Sequence, residues 1–512
     1  MKKVIVLLFL IPGYLLQPTH SQNGFEILFD GVYSTYADIV VSSPNGNSFV
    51  IVSEIYPSTP WPQTVSYYIY KISPSGDTLR WTYKKQDTLI MYAQLLYDKV
   101  TGNILIYGIG NQLINNGTTA VNSFLWLASI NEDFTLNWER TYHFAPLDYH
   151  YSFHSKFLQL SDSTFIVAFA AEKGAGGPGN RMTSIYRFNS TGDSLYYKEY
   201  PWYSSGLVYA LTYAPDSSNI WIHYARYVSG DDNNNVNCQV IDINTYDSIM
   251  TYFYPLHNST PIYEFSAPYS AKILSGNKFV AAGMYDIYNG QIVDYIGALK
   301  FDAEFNVLVE KMLTTGNTTD NIQIYPASDN CIDYVYPNQI YVSGAFKVPP
   351  GNFNYNDDWI YVTKLDDSLN IIWEKYLGGD AFYRVDGMCA TYDGGVIVTG
   401  RRFDENINYL DYDGFLYKFD YNGYVGINDI STTKIKNAII YPNPSENGII
   451  YLRTAINNAN FFIFDLSGKT VKNVPINKII TGIDIRSLLN GEYVWILINR
   501  EKVVETGKFI KK

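Results

Sequence analysis

Between residues 24 and 428 the chain alternates short apolar runs with tight polar turns, and the alternation recurs. One unit is an apolar run, a polar turn and a second run. Its copies are YIYKISPSGDTLRWTY, LWLASINEDFTLNWERTY, SIYRFNSTGDSLYYKEY, QVIDINTYDSIMTYFY, GALKFDAEFNVLVEKML, YVTKLDDSLNIIWEKYL and FLYKFDYNGYVGIND. Anchoring on the last apolar residue before the turn gives Ile72, Ile130, Phe188, Ile243, Phe301, Leu365 and Phe419, at spacings of 58, 58, 55, 58, 64 and 54 residues. A second run keeps the same beat: NSFVIVSEI, NILIYGIG, TFIVAFAA, NIWIHYAR, KFVAAGMY, QIYVSGAF and GVIVTGRR. Upstream of each lies a third: ADIVVS, AQLLYD, KFLQLS, YALTYA, SAKILS, YVYPNQ and MCATYD. Runs rich in Val, Ile, Tyr, Phe and Trp between Gly, Asn and Asp turns are β-strand signals. Four strands per period, seven times over, predict an all-β fold: a seven-bladed β-propeller over residues 22–428.

The seventh copy lacks an outer strand of the TLRWTY kind. A matching segment, GFEILFD (Gly24–Asp30), stands ahead of the first copy. It is expected to complete the last blade, joining the two ends of the ring and covering an open edge.

The flanks read differently. Lys2 and Lys3, an apolar run from Val4 to Leu16, and small residues at Thr19 and Ser21 predict a signal peptide over residues 1–21, cleaved before Gln22. The run is shorter than the roughly 20 residues that span a bilayer, so no transmembrane anchor is expected in the mature chain. Residues 429–437 form a polar linker. Residues 438–512 hold alternating strands and turns, predicting a small immunoglobulin-like β-sandwich. Tyr441-Pro442-Asn443-Pro444 opens this segment. The turn at Gly468 lies between FFIF and TVKNV, Gly491 and Tyr493 lead into VWILIN, and GKFIKK closes the chain. In that order these motifs resemble the C-terminal sorting domain of the Bacteroidetes type IX secretion system. The resemblance implies recognition by the outer-membrane translocon, passage through the periplasm, removal of the tail, and release to the medium or attachment at the cell surface. The repeat region resembles secreted Bacteroidetes propellers.

Charge sharpens the class. The whole chain carries −12. The tail from Ser431 contributes +6 and the signal +2, so the intervening region holds −20. Such a surface repels phosphate backbones, which excludes nucleic acid as the expected partner. Cys238, Cys331 and Cys389 are too few and too far apart for a disulfide framework, and they are expected as buried thiols.

Candidate chemistry is confined to the long connections. The segments Tyr56–Ser66, Gly110–Ser123, Lys173–Thr183, Ser229–Asn237, Tyr285–Asp294, Val348–Asp358 and Phe403–Gly414 would gather on one face of a propeller, where rigid scaffolds carry function. Trp61, Tyr149, Tyr151, Trp202 and Tyr203 are candidate rings for stacking on sugars. Asp411 and Asp413, in DYDG, are candidate calcium ligands, although the twelfth position from Asp411 is Asn422 and breaks the EF-hand pattern. His150 and His154 would lie about 13 Å apart on a strand, too far to share an ion. The sequence contains no HExxH or GxSxG. The GxGxxG at Gly174–Gly179 precedes a strand rather than a helix. The expected function is non-enzymatic binding of a glycan or surface protein, with no cofactor required. The rivals are an extracellular polysaccharide hydrolase or lyase, and a structural surface component.

Overall fold

In a computed structural model the chain is described over 24–29, 34–56, 64–83, 88–114, 119–143, 148–173, 181–200, 208–226, 235–257, 262–288, 292–313, 323–347, 358–403, 412–425, 438–445, 448–454, 458–466, 468–478, 480–499 and 502–512. The signal segment and the linker lie outside these residues. Every described element is a strand.

Before the tail the strands form seven antiparallel sheets in chain order. Each is an up-and-down meander. In the first, Ser34–Ser42, Ser48–Tyr56, Thr64–Ile72 and Thr78–Tyr83 follow one another. The fifth and sixth sheets have five strands rather than four. The seventh is completed from the other end of the chain: Phe25–Phe29 pairs antiparallel with Asp413–Phe419, in the register Phe25↔Lys418 to Phe29↔Gly414.

Packing explains why the strands are apolar nearly throughout. Their side chains alternate between two faces, and both faces are covered by the neighbouring sheets. In the third strand of the second sheet, Phe124, Trp126, Ala128 and Ile130 join a core with Phe49 and Ile69 of the first sheet. The intervening Leu125 and Leu127 join Phe165 and Phe169 of the third. Such shared cores run between every consecutive pair of sheets. The circuit closes where Ile27 and Leu416 of the seventh sheet meet Ala37 and Val50 of the first. This is the architecture of a β-propeller.

The anchors are buried as the repeat requires, at Ile72, Ile130, Phe188, Phe301, Leu365 and Phe419. The fourth copy differs. Its turn is a residue longer, closed by Asp242 N donating to Asp247 O and Tyr246 N to Asp242 O. The equivalent buried residue is therefore Ile241, not Ile243. The sixth inner strand also departs from the sequence reading. YVYPNQ forms a turn, and the strand itself lies upstream in two pieces, Gln323–Pro326 and Ile332–Asp333. Two expected loops are mostly strand: Ile104–Ile114 and Thr119–Ile130 run through Gly110–Ser123, and Lys278–Tyr288 with Ile292–Asp302 run through Tyr285–Asp294.

The tail is a separate sandwich. A three-stranded sheet (Ile439–Tyr441, Ile449–Arg453, Ile480–Asp484) faces a four-stranded one (Thr470–Ile476, Ala459–Phe464, Gly491–Asn499, Lys502–Lys511). Between them lies a core that includes Ile450, Phe461, Ile483, Trp495 and Phe509.

Candidate functional site

In six of the seven sheets the inner strand breaks register with its neighbour at a similar height. The shifts fall between Ala37 and Val40, Ile90 and Tyr92, Tyr151 and Lys156, Val208 and Ala210, Phe265 and Ala267, and Val385 and Gly387. A bulge turns an otherwise sheet-facing side chain aside. Asp38 and Asp386 lie within two of these breaks.

The sixth inner strand is interrupted outright, and the interrupting segment, Ala327–Cys331, is tied to four other sheets. Its hydrogen bonds run from Gln94 Nε2 of the second sheet to Asp329 Oδ1 (3.3 Å) and from Lys156 Nζ of the third to Asp329 O. Ser270 Oγ of the fifth donates to Asn330 Oδ1 (2.5 Å). Toward the seventh, Ser328 N donates to Val385 O (3.2 Å), Asp329 N to Asp386 O (2.8 Å), Ser328 Oγ to Asp386 Oδ1 (2.9 Å) and Asn330 Nδ2 to Met388 O (2.7 Å). One short segment thus spans the middle of the ring, where the inner strands converge.

Three carboxylates meet there. Asp386 is buried, and its oxygens lie 3.3 Å from Arg384 Nε and from Arg401 Nε. Asp38 accepts from Ser53 Oγ (2.9 Å). Its carbonyl accepts from Thr399 Oγ1 (3.0 Å) and lies 2.5 Å from where a Cβ at position 387 would stand, so only glycine lets the first and seventh sheets approach this closely. Burial first, and then the Asp386 charge, push the Asp38 carboxyl up to about 7, against the pull of Arg401. Burial raises Asp329 as well, against the nearby Lys156, whose own ammonium burial pulls down.

Toward one end of the same seam the polar cluster meets aromatic rings. Arg401 lies over Tyr36, 4.2 Å from the centroid, and 5.9 Å from that of Tyr412. Tyr36 meets Tyr412 edge-on at 5.4 Å, and Tyr412 meets Phe403 at 4.9 Å. In each antiparallel sheet the second strand ends and the third begins at this end, and the next sheet begins there too. The patch therefore lies toward the end from which the long connections leave.

Of the residues singled out in the sequence, Trp61, Trp202, Tyr203 and Asp411 lie outside the described residues. Tyr149 and Tyr151 sit on the inner strand Asp148–Gln159, opposite Glu172 and Ala170. Asp413 begins its strand opposite Arg402, a buried guanidinium on which its charge acts. Among the described residues no group of three His, Cys, Asp or Glu is placed to hold a metal ion. The three cysteines are free and buried. Tyr36, Asp38, Asp329, Asp386 and Arg401 escaped sequence reasoning. For Asp38 and Asp386 the only signal is a polar residue inside an apolar inner strand; Arg401 lies on the neighbouring strand and Asp329 in the segment that interrupts the sixth inner strand.

Several of the tail motif residues bear on the last strand. Asn443 Oδ1 accepts from Ile510 N (2.9 Å), and its Nδ2 donates to Lys508 O (3.2 Å). Ser445 N donates to Ile510 O and Lys512 N to Ser445 O. Pro442 and Pro444, both following cis bonds, bracket Asn443. Tyr441 stacks on Tyr451 and Tyr493 on Phe509. Gly468 (φ 83°) closes the turn from Asp465, and Gly491 (φ 154°) opens its strand.

No curated protein matches the chain. Among solved structures, the chain is similar to an α-L-arabinanase of Penicillium chrysogenum (10% identity, 78% of this chain and 98% of that one, TM-score 0.39). It is similar to the Dos1 propeller (12%, 78% and 96%, 0.39) and to the polysaccharide lyase Uly1 (10%, 75% and 90%, 0.39). Likeness this loose bears no chemical argument. Among the described residues no helix is long and apolar enough to cross a membrane. Residues 439–512 match the family model described as a secretion system C-terminal sorting domain. The end of the chain is thus a type IX sorting domain, which implies interaction with that machinery and export to the cell surface or beyond.

Proposed function

We propose that this chain is cargo of a Bacteroidetes type IX system: a signal peptide, a seven-bladed propeller, and an immunoglobulin-like sorting sandwich. The propeller acts outside the cell as a binding protein for a glycan or a surface protein. The observation that carries this reading is the seam patch, where the half-buried rings of Tyr36 and Tyr412 pack with the ion-paired Arg401 at the loop-bearing end. Ring faces with adjacent donors suit a sugar's apolar face and its hydroxyls. Beneath them the Asp329 and Asp386 carboxylates are engaged in tying the centre of the ring. The test is a glycan array probed with the full chain, with and without calcium. Selective binding that falls at least tenfold in Tyr36→Ala and Tyr412→Ala, with unchanged melting, is the expected result. Binding untouched by both substitutions would move the site to Trp61 or Trp202, and a silent array would remove the glycan reading.

A polysaccharide hydrolase or lyase is the second reading. It is favoured by Asp38, protonated near neutrality, beside the ion-paired Asp386. A carboxyl whose pKa is raised by burial, set beside an ion-paired carboxylate, suits acid–base cleavage of a glycosidic bond. Depolymerisation of a polysaccharide that disappears in Asp38→Asn would establish it.

A further inference from the structure

The outer strand of each sheet is an edge, with one row of backbone groups left unpaired. Such edges are usually blunted by charge. Six of the seven here are. Phe25–Phe29 carries Glu26, Thr78–Tyr83 carries Arg80, and Leu136–His143 carries Glu139 and Arg140. Ser194–Tyr200 carries Lys198 and Glu199, Val307–Leu313 carries Glu310 and Lys311, and Ile371–Gly378 carries Glu374 and Lys375. The outer strand of the fourth sheet, Ser248–Phe253, reads SIMTYF and carries none. It is also the least covered: of its residues only Tyr252 is partly buried. Ile249, Met250 and Phe253 are 52%, 45% and 61% exposed. One side is paired with Asn235–Asp242, while the other has no strand partner among the described residues.

We propose that Ser248–Phe253 is a self-docking strand, pairing antiparallel with the same strand of a second copy of this chain. Three observations select a second copy. First, a two-fold axis sets the strand against itself, so no charge meets a like charge. In a register centred on Met250, which then faces its own counterpart, the flanking Asp247 falls opposite Phe253 of the partner subunit and stays held by Lys198 (2.6 Å). Second, the other outer edges are charged, so pairing stops at two copies instead of growing into a filament. Third, six residues a side bury less than about 1,200 Å² in total, the range of weak, reversible complexes. The strand offers no charge to recruit a charged peptide. The −20 of the ring opposes association only at long range, and salt screens it within about 8 Å at physiological ionic strength.

Sedimentation velocity on the full chain across the micromolar range tests this. A monomer–dimer equilibrium that tightens as salt rises is expected. Met250→Lys, at an exposed position, abolishes it with unchanged melting, whereas Leu136→Lys on the second sheet leaves it intact. Mixing Met250→Lys with Met250→Glu chains restores the dimer. A monomer at every concentration, an open-ended series of oligomers, or a dimer indifferent to Met250→Lys would overturn the proposal.

Discussion

His223 sits where a charged imidazole has nowhere to put its charge. It is buried against Trp221 and Phe279; its Nδ1 lies 2.7 Å from the Tyr254 hydroxyl, and Nε2 has no hydrogen-bond partner among the described residues. Burial pulls its pKa down to about 3. The unfolded chain takes up that proton near 6.5, so stability is lost as pH falls from about 6.5 toward 3. Asp38 works the other way. Its folded carboxyl, raised to about 7, holds a proton that the unfolded chain releases near 4. That contribution is complete below about 4 and is lost as pH rises through 7. Melting curves between pH 3 and 8 should therefore separate the two. His223→Gln flattens the acid side, and Asp38→Asn flattens the decline from 4 to 7. If both variants keep the parent's pH profile, other groups set it.

At the scale of the element, the turns that follow the third strands show which parts of the fold sequence can carry. Several use Gly at positive φ, as at Gly76, Gly192 and Gly423. Others place Phe134, Phe305 or Leu369 there, at φ of 69°, 67° and 59°. A non-Gly residue in this region is strained by about 1 kcal/mol or more. What offsets it is burial: Leu369 is fully covered, and Phe305 stacks on Tyr252 at 4.9 Å. Leu369→Gly should relax the backbone yet destabilise the fold by about 2 kcal/mol or more, because the lost packing outweighs the relief. Urea denaturation measures the difference, and a variant as stable as the parent would show that strain dominates. The hydrophobic beat, the turn residues and the closing strand at Gly24–Asp30 were legible because each repeats or completes a repeat. Ile241 was misplaced because a turn one residue longer shifts the beat without a marker. The split sixth inner strand was missed because Ala327–Cys331 has no counterpart in the other sheets. The Asp38–Asp386–Arg401 cluster was illegible because it is assembled from strands more than 300 residues apart, and a single Asp in an apolar strand has no period.

The whole molecule depends on its ends. Phe25–Phe29 supplies the outer strand of the last sheet, and Ile27 and Phe29 lie in the core that joins the last sheet to the first. Deleting residues 24–30 should lower the melting temperature of the whole ring by about 5 °C or more, not merely fray one sheet, since the loss exposes a core and an edge together. A trimmed chain that melts as the parent does would show that closure lies elsewhere. The segment Ala327–Cys331 adds a second constraint, tying the sixth sheet to partners on the second, third, fifth and seventh at once.

The closing pair also sets an order of events in time. Glu26 and Tyr417 meet across 391 residues of chain. As the polypeptide emerges from the ribosome, its first strand must wait, unpaired, until nearly the entire ring has been made. Ring closure is therefore a late step governed by distance along the chain. A circular permutant that begins at Ser34 and carries Phe25–Phe29 behind Phe419 turns that long wait into a short hairpin, and it should refold faster than the natural order does.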